Sequence, residues 1–481
     1  MEKYQALRRE YPRFYYRSYE LCENEREVQI TYRFEIQGLS SFAPVWKFPK
    51  AEGDTQKWGE DALFQKMVFS LGMVELVSYW KITCSPQVFV EAGALDEEQI
   101  LWWKDLYFNG LGEFFYVNEI GEADPSDFME IQCLGEPDAA SGKTGAGRGD
   151  AAGSPADLGT EQKQPDFAPG TRVLVPIGGG KDSAVSLELL KKAGASLWAY
   201  IINPRGATLA TVQAAGLPKE RAIRVSRTLD PNMLALNRQG YLNGHTPFSA
   251  LAAFSSLLAA RMYGLSYIAL SNESSANEST VAGSTVNHQY SKSFKFEMDF
   301  HRYRERYLPG SAYYFSLLRP LSEFQIAKYF AGQKQYHRVF RSCNAGSKTD
   351  SWCGRCPKCL FVYLILSPFL ESREVEAIFG RNMLEDVSLR PTLEQLIGMQ
   401  EEKPFECVGS RDEINTAAVL AIDRMEREGK ALPALLAFYK DSGMYEAYRA
   451  AGDPFSTYFD EENLLPGPLK ELVRKACASL E

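Results

Sequence analysis

The chain has 481 residues, 45% of them hydrophobic, enough for ordinary packed cores in about two to four domains. A formal net charge of −9 argues against an electrostatic nucleic-acid binder, and no apolar run reaches the roughly 18 residues of a membrane span. Met1-Glu2-Lys3-Tyr4 opens no secretory signal, and nine cysteines without one imply reduced thiols, so the expectation is a cytoplasmic protein with no membrane and no nucleic-acid partner.

Residues 1–135 read as an N-terminal α+β domain. Residues 27–36 alternate polar with apolar, the pattern of a half-buried strand. Residues 59–82 carry Leu63, Met67, Leu71, Val74 and Val77 at helical spacing. A second helix is expected around Trp102, Trp103, Leu106 and Phe108. This aromatic stripe reads as core, with a substrate-binding surface as the alternative. Residues 136–170 are rich in Gly, Ala, Asp, Pro and Ser, with Leu158 and Phe167 the only large apolar residues. Such a stretch cannot bury enough surface to offset its ordering entropy, so it reads as a flexible linker or insertion.

From 171 to 342 strands alternate with helices: strand 172–177, helix 182–193, strand 197–203, helix 208–215, strand 222–226, helix 247–263, strand 266–271. That order predicts an α/β fold with a doubly wound parallel sheet. Ligands of such sheets sit outside the carboxyl ends of the strands. After the first strand comes Gly178-Gly179-Gly180-Lys181-Asp182-Ser183, a Gly-rich turn opening a helix. Glycines expose backbone N–H groups and the helix N-terminus adds positive potential, so the turn suits phosphate. It is not a Walker A loop, because Asp182 follows the lysine.

Ile202, Asn203 and Arg205 close the second strand. The fourth is followed by a long polar stretch from Ser271 to Thr280, too long for a simple turn. Glu273 and Glu278 within it could hold Mg²⁺ or act as acid and base, or be solvated loop charges. Val286 to Ser293 adds His288, Tyr290 and Lys292. The four histidines are His245, His288, His301 and His337. A site role is weighed for His288 and His245, whereas His301 and His337, in charged segments that look helical, read as structural.

Residues 343–370 hold four cysteines. Cys343, Cys353, Cys356 and Cys359 are spaced C-x9-C-x2-C-x2-C, which suits tetrahedral Zn²⁺, with Gly354 and Pro357 shaping turns. An iron–sulfur cluster or unmetallated thiols are the alternatives. Residues 371–481 read as a helical C-terminal region, with amphipathic helices at 416–427 and 468–480 and an interrupting turn, Lys403 to Gly409, whose role spacing does not disclose.

The Gly loop resembles the S-G-G-x-D-S loop of the PP-loop ATP pyrophosphatases, with Gly178 standing where most relatives carry Ser. The 7-cyano-7-deazaguanine-forming enzymes share such a loop and a similar late cysteine group. Taken with Leu76 to Pro86, Ser271-Asn272-Glu273, Val286 to Ser293 and Pro404 to Gly409, the chain resembles the UDP-N-acetyl-α-D-muramoyl-L-alanyl-L-glutamate epimerases of bacterial peptidoglycan synthesis. The resemblance implies a PP-loop core that takes ATP, Mg²⁺ and a UDP-linked muramoyl dipeptide. It implies that Gly178, Gly179, Gly180, Lys181 and Ser183 hold phosphates, that Asp182 orients the loop or a metal-bound water, and that Ile202 and Asn203 line the adenine pocket. His288, Tyr290, Lys292, Glu273 and Glu278 are the candidates for acid and base. Another adenylating enzyme (an amide ligase, nitrile-forming enzyme or tRNA thiolase) and a non-enzymatic nucleotide sensor are the other readings. The acidic balance counts against a tRNA enzyme, and the intact Gly-Lys-Asp-Ser run counts against a sensor.

Overall fold

The structure is a computed structural model that describes residues 2–121, 124–135, 166–278, 287–346 and 348–478. Most of the expected linker, 136–165, lies outside them. The strands are β1 (Arg13–Glu23), β2 (Glu27–Ile36), β3 (Ser40–Phe42), β4 (Val45–Pro49), β5 (Gln87–Val90), β6 (Glu130–Cys133), β7 (Arg172–Pro176), β8 (Ser196–Ile202), β9 (Ala222–Thr228), β10 (Tyr267–Leu270) and β11 (Tyr313–Ser316). They form one sheet in the order β11-β10-β7-β8-β9-β4-β2-β1-β5-β6, with β3 on β2.

The central half is parallel: β7 pairs β8 and β10, β8 pairs β9, and β10 pairs β11, all in that sense. Parallel sheets bury both faces, and β7 shows how. Val173 and Val175 enter one core, with Leu189 and Phe330; Leu174 enters the other, with Phe254 and Leu258. The α/β, doubly wound expectation is therefore met. The chain leaves β7 toward β8 and β9, then returns to lay β10 on the other side of β7. The carboxyl end of β7 is thus where strand order reverses, the place such sheets use for ligands.

The N-terminal part is not set apart from this sheet. β4 pairs antiparallel with β9, Val45 opposite Thr228 and Trp46 opposite Arg227. Tyr16, Trp46 and Trp103 share one core with Phe254, Phe300 and Tyr303 of the central region. The aromatic stripe is core, as its spacing suggested. The helix Ala62–Trp80 lies against β1 so closely that a Cβ on Gly72 would stand 2.0 Å from the Tyr16 hydroxyl.

The apolar run from Leu360 to Leu366 lies in the buried helix Pro357–Leu366, on which the helices Arg390–Ile397 and Arg411–Arg427 pack. No helix among the described residues is long and apolar enough to cross a membrane.

Candidate active site

The Gly loop leaves β7 and enters the helix Lys181–Lys192. Gly179 has φ +86°, and a Cβ there would stand 3.2 Å from that of Ala207, so the left-handed turn and the close approach both call for glycine. Gly180 is the extended residue before the helix. Ser183 Oγ donates to the Gly180 carbonyl at 3.1 Å, and Arg341 N–H donates to the Gly179 carbonyl at 2.7 Å. Gly178 faces open space, so a serine there would meet no obstacle.

Lys181 is buried, its ammonium paired with Asp182 and Glu323. Burial works against that charge, but the two carboxylates hold the lysine well above its ordinary range. Burial would push Asp182 up, yet Lys181 and Lys358 bring it below the usual carboxylate value. A single ammonium does not satisfy every acid here. Glu323 N–H donates to Glu413 Oε1 at 2.6 Å, and burial pushes both Glu323 and Glu413 up to about 7. Lys181 thus pairs with both Asp182 and Glu323, while burial disfavours charge on the two glutamates.

Glu273 follows β10 and is buried. Burial raises its carboxyl against the pull of Lys292. The fully buried Arg319 fixes this corner: Nη1 donates to the Glu273 carbonyl at 2.6 Å, Nη2 donates to the Lys292 carbonyl, and the guanidinium pairs with Glu297 at 3.0 Å.

Cys407 comes in from the C-terminal region. Lys358 Nζ donates to its carbonyl, and Lys292 Nζ lies 3.3 Å from its Sγ. His288 is hydrogen-bonded to the same thiol and, through Nδ1, to Glu113 Oε2. Burial alone would raise the Cys407 thiol, but Lys292, His288 and Lys358 bring it down to about 5. Burial opposes a charged His288, yet its bonds to Cys407 and Glu113 hold it up to about 9. Both shifts favour charge on the sulfur and on the ring, and Glu113 orients the ring.

The His245 ring lies 4.5 Å from that of His288, centroid to centroid and tilted by 47°, and burial pushes it down to about 4. Glu113, His245 and His288 place ligand atoms within 4.8 Å of one another. Lys81 and Lys292 both bear on His245, which disfavours adding a cation. Lys81 itself is pushed down to about 8 by burial and then by Arg227.

Of the residues expected from sequence, the structure brings Lys181, Asp182, Glu273, Lys292 and His288 into one electrostatic group with Cys407. Tyr290 turns elsewhere, its hydroxyl 3.2 Å from Asp105 and 3.3 Å from Lys295. Glu278 pairs with Lys403. Asn203 has φ +50°, and its side chain pairs with the Arg227 backbone at 2.8 and 2.9 Å, extending the β8–β9 ladder beyond Ile202. His301, paired with Glu305 at 3.0 Å, and His337, bonded to the Phe330 carbonyl, lie in structural surroundings. Cys407, Glu113, Glu323, Glu413, Lys358 and Arg319 were not singled out from sequence. Cys407 lay within the family-like Pro404–Gly409 segment, the only signal that pointed to it.

The four cysteines converge. Sγ–Sγ distances are 3.8 Å for Cys343–Cys356, 3.7 Å for Cys353–Cys359 and 3.5 Å for Cys356–Cys359. Zinc–thiolate bonds of about 2.3 Å in a tetrahedron set sulfurs roughly 3.8 Å apart, so the group can hold Zn²⁺. A Cβ on Gly346 would stand 1.9 Å from the Ser351 carbonyl oxygen, so only glycine lets the loop fold this tightly. Two residues before Cys343, Arg341 makes its bond to the Gly loop, so the cysteine group and the loop are mechanically joined.

A cleft of about 560 Å³, lined by Arg261, Ser266, Arg304 and Tyr313 among others, opens at the amino ends of β10 and β11. That is the end of the sheet away from the Gly loop, and none of the candidate site residues lines it.

Residues 5–317 match the family model described as the MurL N-terminal domain, and residues 339–444 the one described as the MurL C-terminal domain. A UDP-N-acetyl-alpha-D-muramoyl-L-alanyl-L-glutamate epimerase of Xanthomonas oryzae pv. oryzae is 36% identical over 75% of this chain and 76% of its own. Epimerases of the same name from Salinispora tropica and a Micromonospora species are 34% and 33% identical, over 71% and 76% of this chain and 70% and 77% of theirs. The chain belongs to the MurL family and is an epimerase, an isomerase.

Proposed function

We propose that the chain converts the terminal L-glutamate of UDP-N-acetylmuramoyl-L-alanyl-L-glutamate to D-glutamate, in peptidoglycan precursor synthesis. In this reading the glutamyl carboxylate is first adenylated by ATP, and AMP and pyrophosphate are released. The observation that carries it is the meeting of a phosphate-type loop at the reversal point of the sheet with His288, Lys292 and Cys407. The strand order β9-β8-β7-β10-β11 and the Gly179 turn support a PP-loop type of nucleotide site.

The chemistry explains why an epimerase would need ATP. The Cα–H beside a carboxylate is a very weak acid, because deprotonation sets a second negative charge beside the first. Converting the carboxylate to a mixed anhydride removes that charge and lets the acyl oxygen accept the carbanion pair. Each pKa unit of acidity gained is worth about 1.4 kcal/mol. Lys181 and the helix N-terminus bind and orient the phosphates. Glu273, buried in a place where its own charge is disfavoured, and Asp182 are the carboxylates that would hold Mg²⁺. Mg²⁺, when bound, neutralises phosphate charge. Cys343, Cys353, Cys356 and Cys359 hold a structural zinc, with four protein ligands filling its coordination.

The test is product analysis. Incubation with ATP, Mg²⁺ and the UDP-linked L-Ala-L-Glu substrate should give D-glutamate on acid hydrolysis, with AMP and pyrophosphate formed only when that substrate is present. Glutamate that stays L while ATP is consumed would make the chain some other adenylating enzyme.

A further inference from the structure

We propose that Cys407 takes the glutamyl acyl group from its adenylate as a thioester, and that inversion at Cα takes place on that thioester; this rests on the adenylation reading above. Cys407, His288 and Glu113 stand in the order of an activated nucleophile: thiol, ring base, and a carboxylate that orients the ring. Cys407 is half-buried as a residue. Lys358 fixes its carbonyl, and Lys292 stands 3.3 Å from the sulfur. These same two lysines bear on Asp182 of the Gly loop. The sulfur and the Gly loop therefore share two cationic neighbours.

A choice between nucleophile and Cα base follows from the thiol's acidity. A thiolate whose conjugate acid titrates near 5 is a feeble base toward a carbon acid. Its nucleophilicity falls far less, since the Brønsted slope for thiolates is only about 0.4–0.5. A thioester also suits the task. Its carbonyl still acidifies the neighbouring Cα–H, and it meets water more slowly than an acyl phosphate, which allows time for inversion before hydrolysis.

The steps balance. A sulfur lone pair forms the S–C bond to the acyl carbon, and the C–O bond to the phosphate breaks, its electron pair leaving with AMP. Acylation removes the thiolate charge that retained the His288 proton; that proton passes to solvent, leaving a neutral imidazole beside the thioester. A base takes the Cα proton, the electron pair passing into the thioester carbonyl, and a solvent-derived proton returns to the opposite face. Water then attacks the acyl carbon, the C–S bond breaks with its pair on sulfur, and of the two protons released with the product carboxylate one recharges His288 and one passes to solvent.

The experiment is rapid acid quench of the wild-type enzyme with ATP, Mg²⁺ and the UDP-linked L-Ala-L-Glu substrate, followed by mass analysis of the intact chain and of its peptides. The expected result is an adduct of substrate minus water on the peptide bearing Cys407, removed by neutral hydroxylamine. Cys407→Ala should carry no adduct and should lose epimerisation by at least roughly a hundredfold, while still releasing pyrophosphate in a first turnover. D-product from wild type with no adduct at any quench time overturns the thioester, even if the variant is inactive, since that would make Cys407 a proton carrier. A variant that still epimerises also overturns it. Wild type that forms neither AMP nor pyrophosphate overturns the adenylation reading, and the thioester with it. Should Cys407→Ala fail to fold, the wild-type adduct decides alone.

Discussion

Lys181 shows how one residue joins folding to chemistry. Its ammonium is buried against Asp182, and a nucleotide phosphate would be a further partner for the same charge. Lys181→Met should abolish AMP formation; loss of a charged phosphate contact costs roughly 3 kcal/mol of transition-state stabilisation, or more than a hundredfold in rate. Near-wild-type AMP production by a folded Lys181→Met protein would remove the Gly loop from the nucleotide site. Cys407 offers a pH test. Lys292 and His288 depress the thiol below its ordinary value, so it is ionised from just above pH 5 upward. Alkylation of Cys407 by iodoacetamide, followed on its own peptide, should level off by about pH 6.5 instead of rising toward pH 9. A rate that keeps climbing through pH 8 would show an ordinary thiol. The loop was legible because glycines, Lys181, Asp182 and Ser183 are contiguous and lie between a strand and a helix. Cys407 was not, because it meets Lys292 across 115 positions and its neighbours in sequence predict only a turn. Lys181 finds Glu323 across 142 positions, a pairing that no local pattern encodes.

At the scale of elements, the cysteine group and the Gly loop are tied together by one backbone hydrogen bond. Arg341 N–H holds the Gly179 carbonyl two residues before Cys343, so a change at the sulfurs is carried into the loop. Structural zinc contributes to folding directly. Cys353→Ser should therefore lower the melting temperature by several degrees, release about one equivalent of zinc and weaken ATP binding together. A zinc-free wild-type protein of unchanged stability would refute a structural metal. The spacing of the four cysteines announced this group, because short C-x2-C intervals set two sulfurs close whatever the rest of the chain does. The central strands and helices were also readable, displaced by only a residue or two at most ends. β1, β3, β4, β5, β6 and β11 were not. β4 and β11 are short, and their pairing with β9 and β10 is set by distant segments, not by their own alternation.

For the whole molecule, the break in composition after residue 135 does not divide the fold. The sheet passes from β9 to β4, and Trp46, Trp103, Phe254 and Tyr303 share one core. Burial of large aromatic side chains contributes roughly 1.5–3 kcal/mol each, so the two parts should stay together without a covalent link. A protease site inserted between residues 140 and 160 tests this. After cleavage the two pieces should co-elute as one species and retain epimerase activity; pieces that separate under native conditions would show that the shared core is weaker than its burial implies. The same architecture gives the site its composition, since Glu113 comes from the N-terminal part, Lys181 and His288 from the central sheet region, and Cys407 from the turn before the helix Arg411–Arg427. The measurement that bears most directly on the account is solvent hydrogen incorporation at Cα. In D₂O, with ATP and Mg²⁺, the UDP-linked L-Ala-L-Glu substrate should yield D-glutamate carrying one deuterium at Cα, and no incorporation should occur when ATP is left out. D-glutamate formed without ATP, or formed with Cα still fully protiated, would contradict inversion by deprotonation of an activated acyl group.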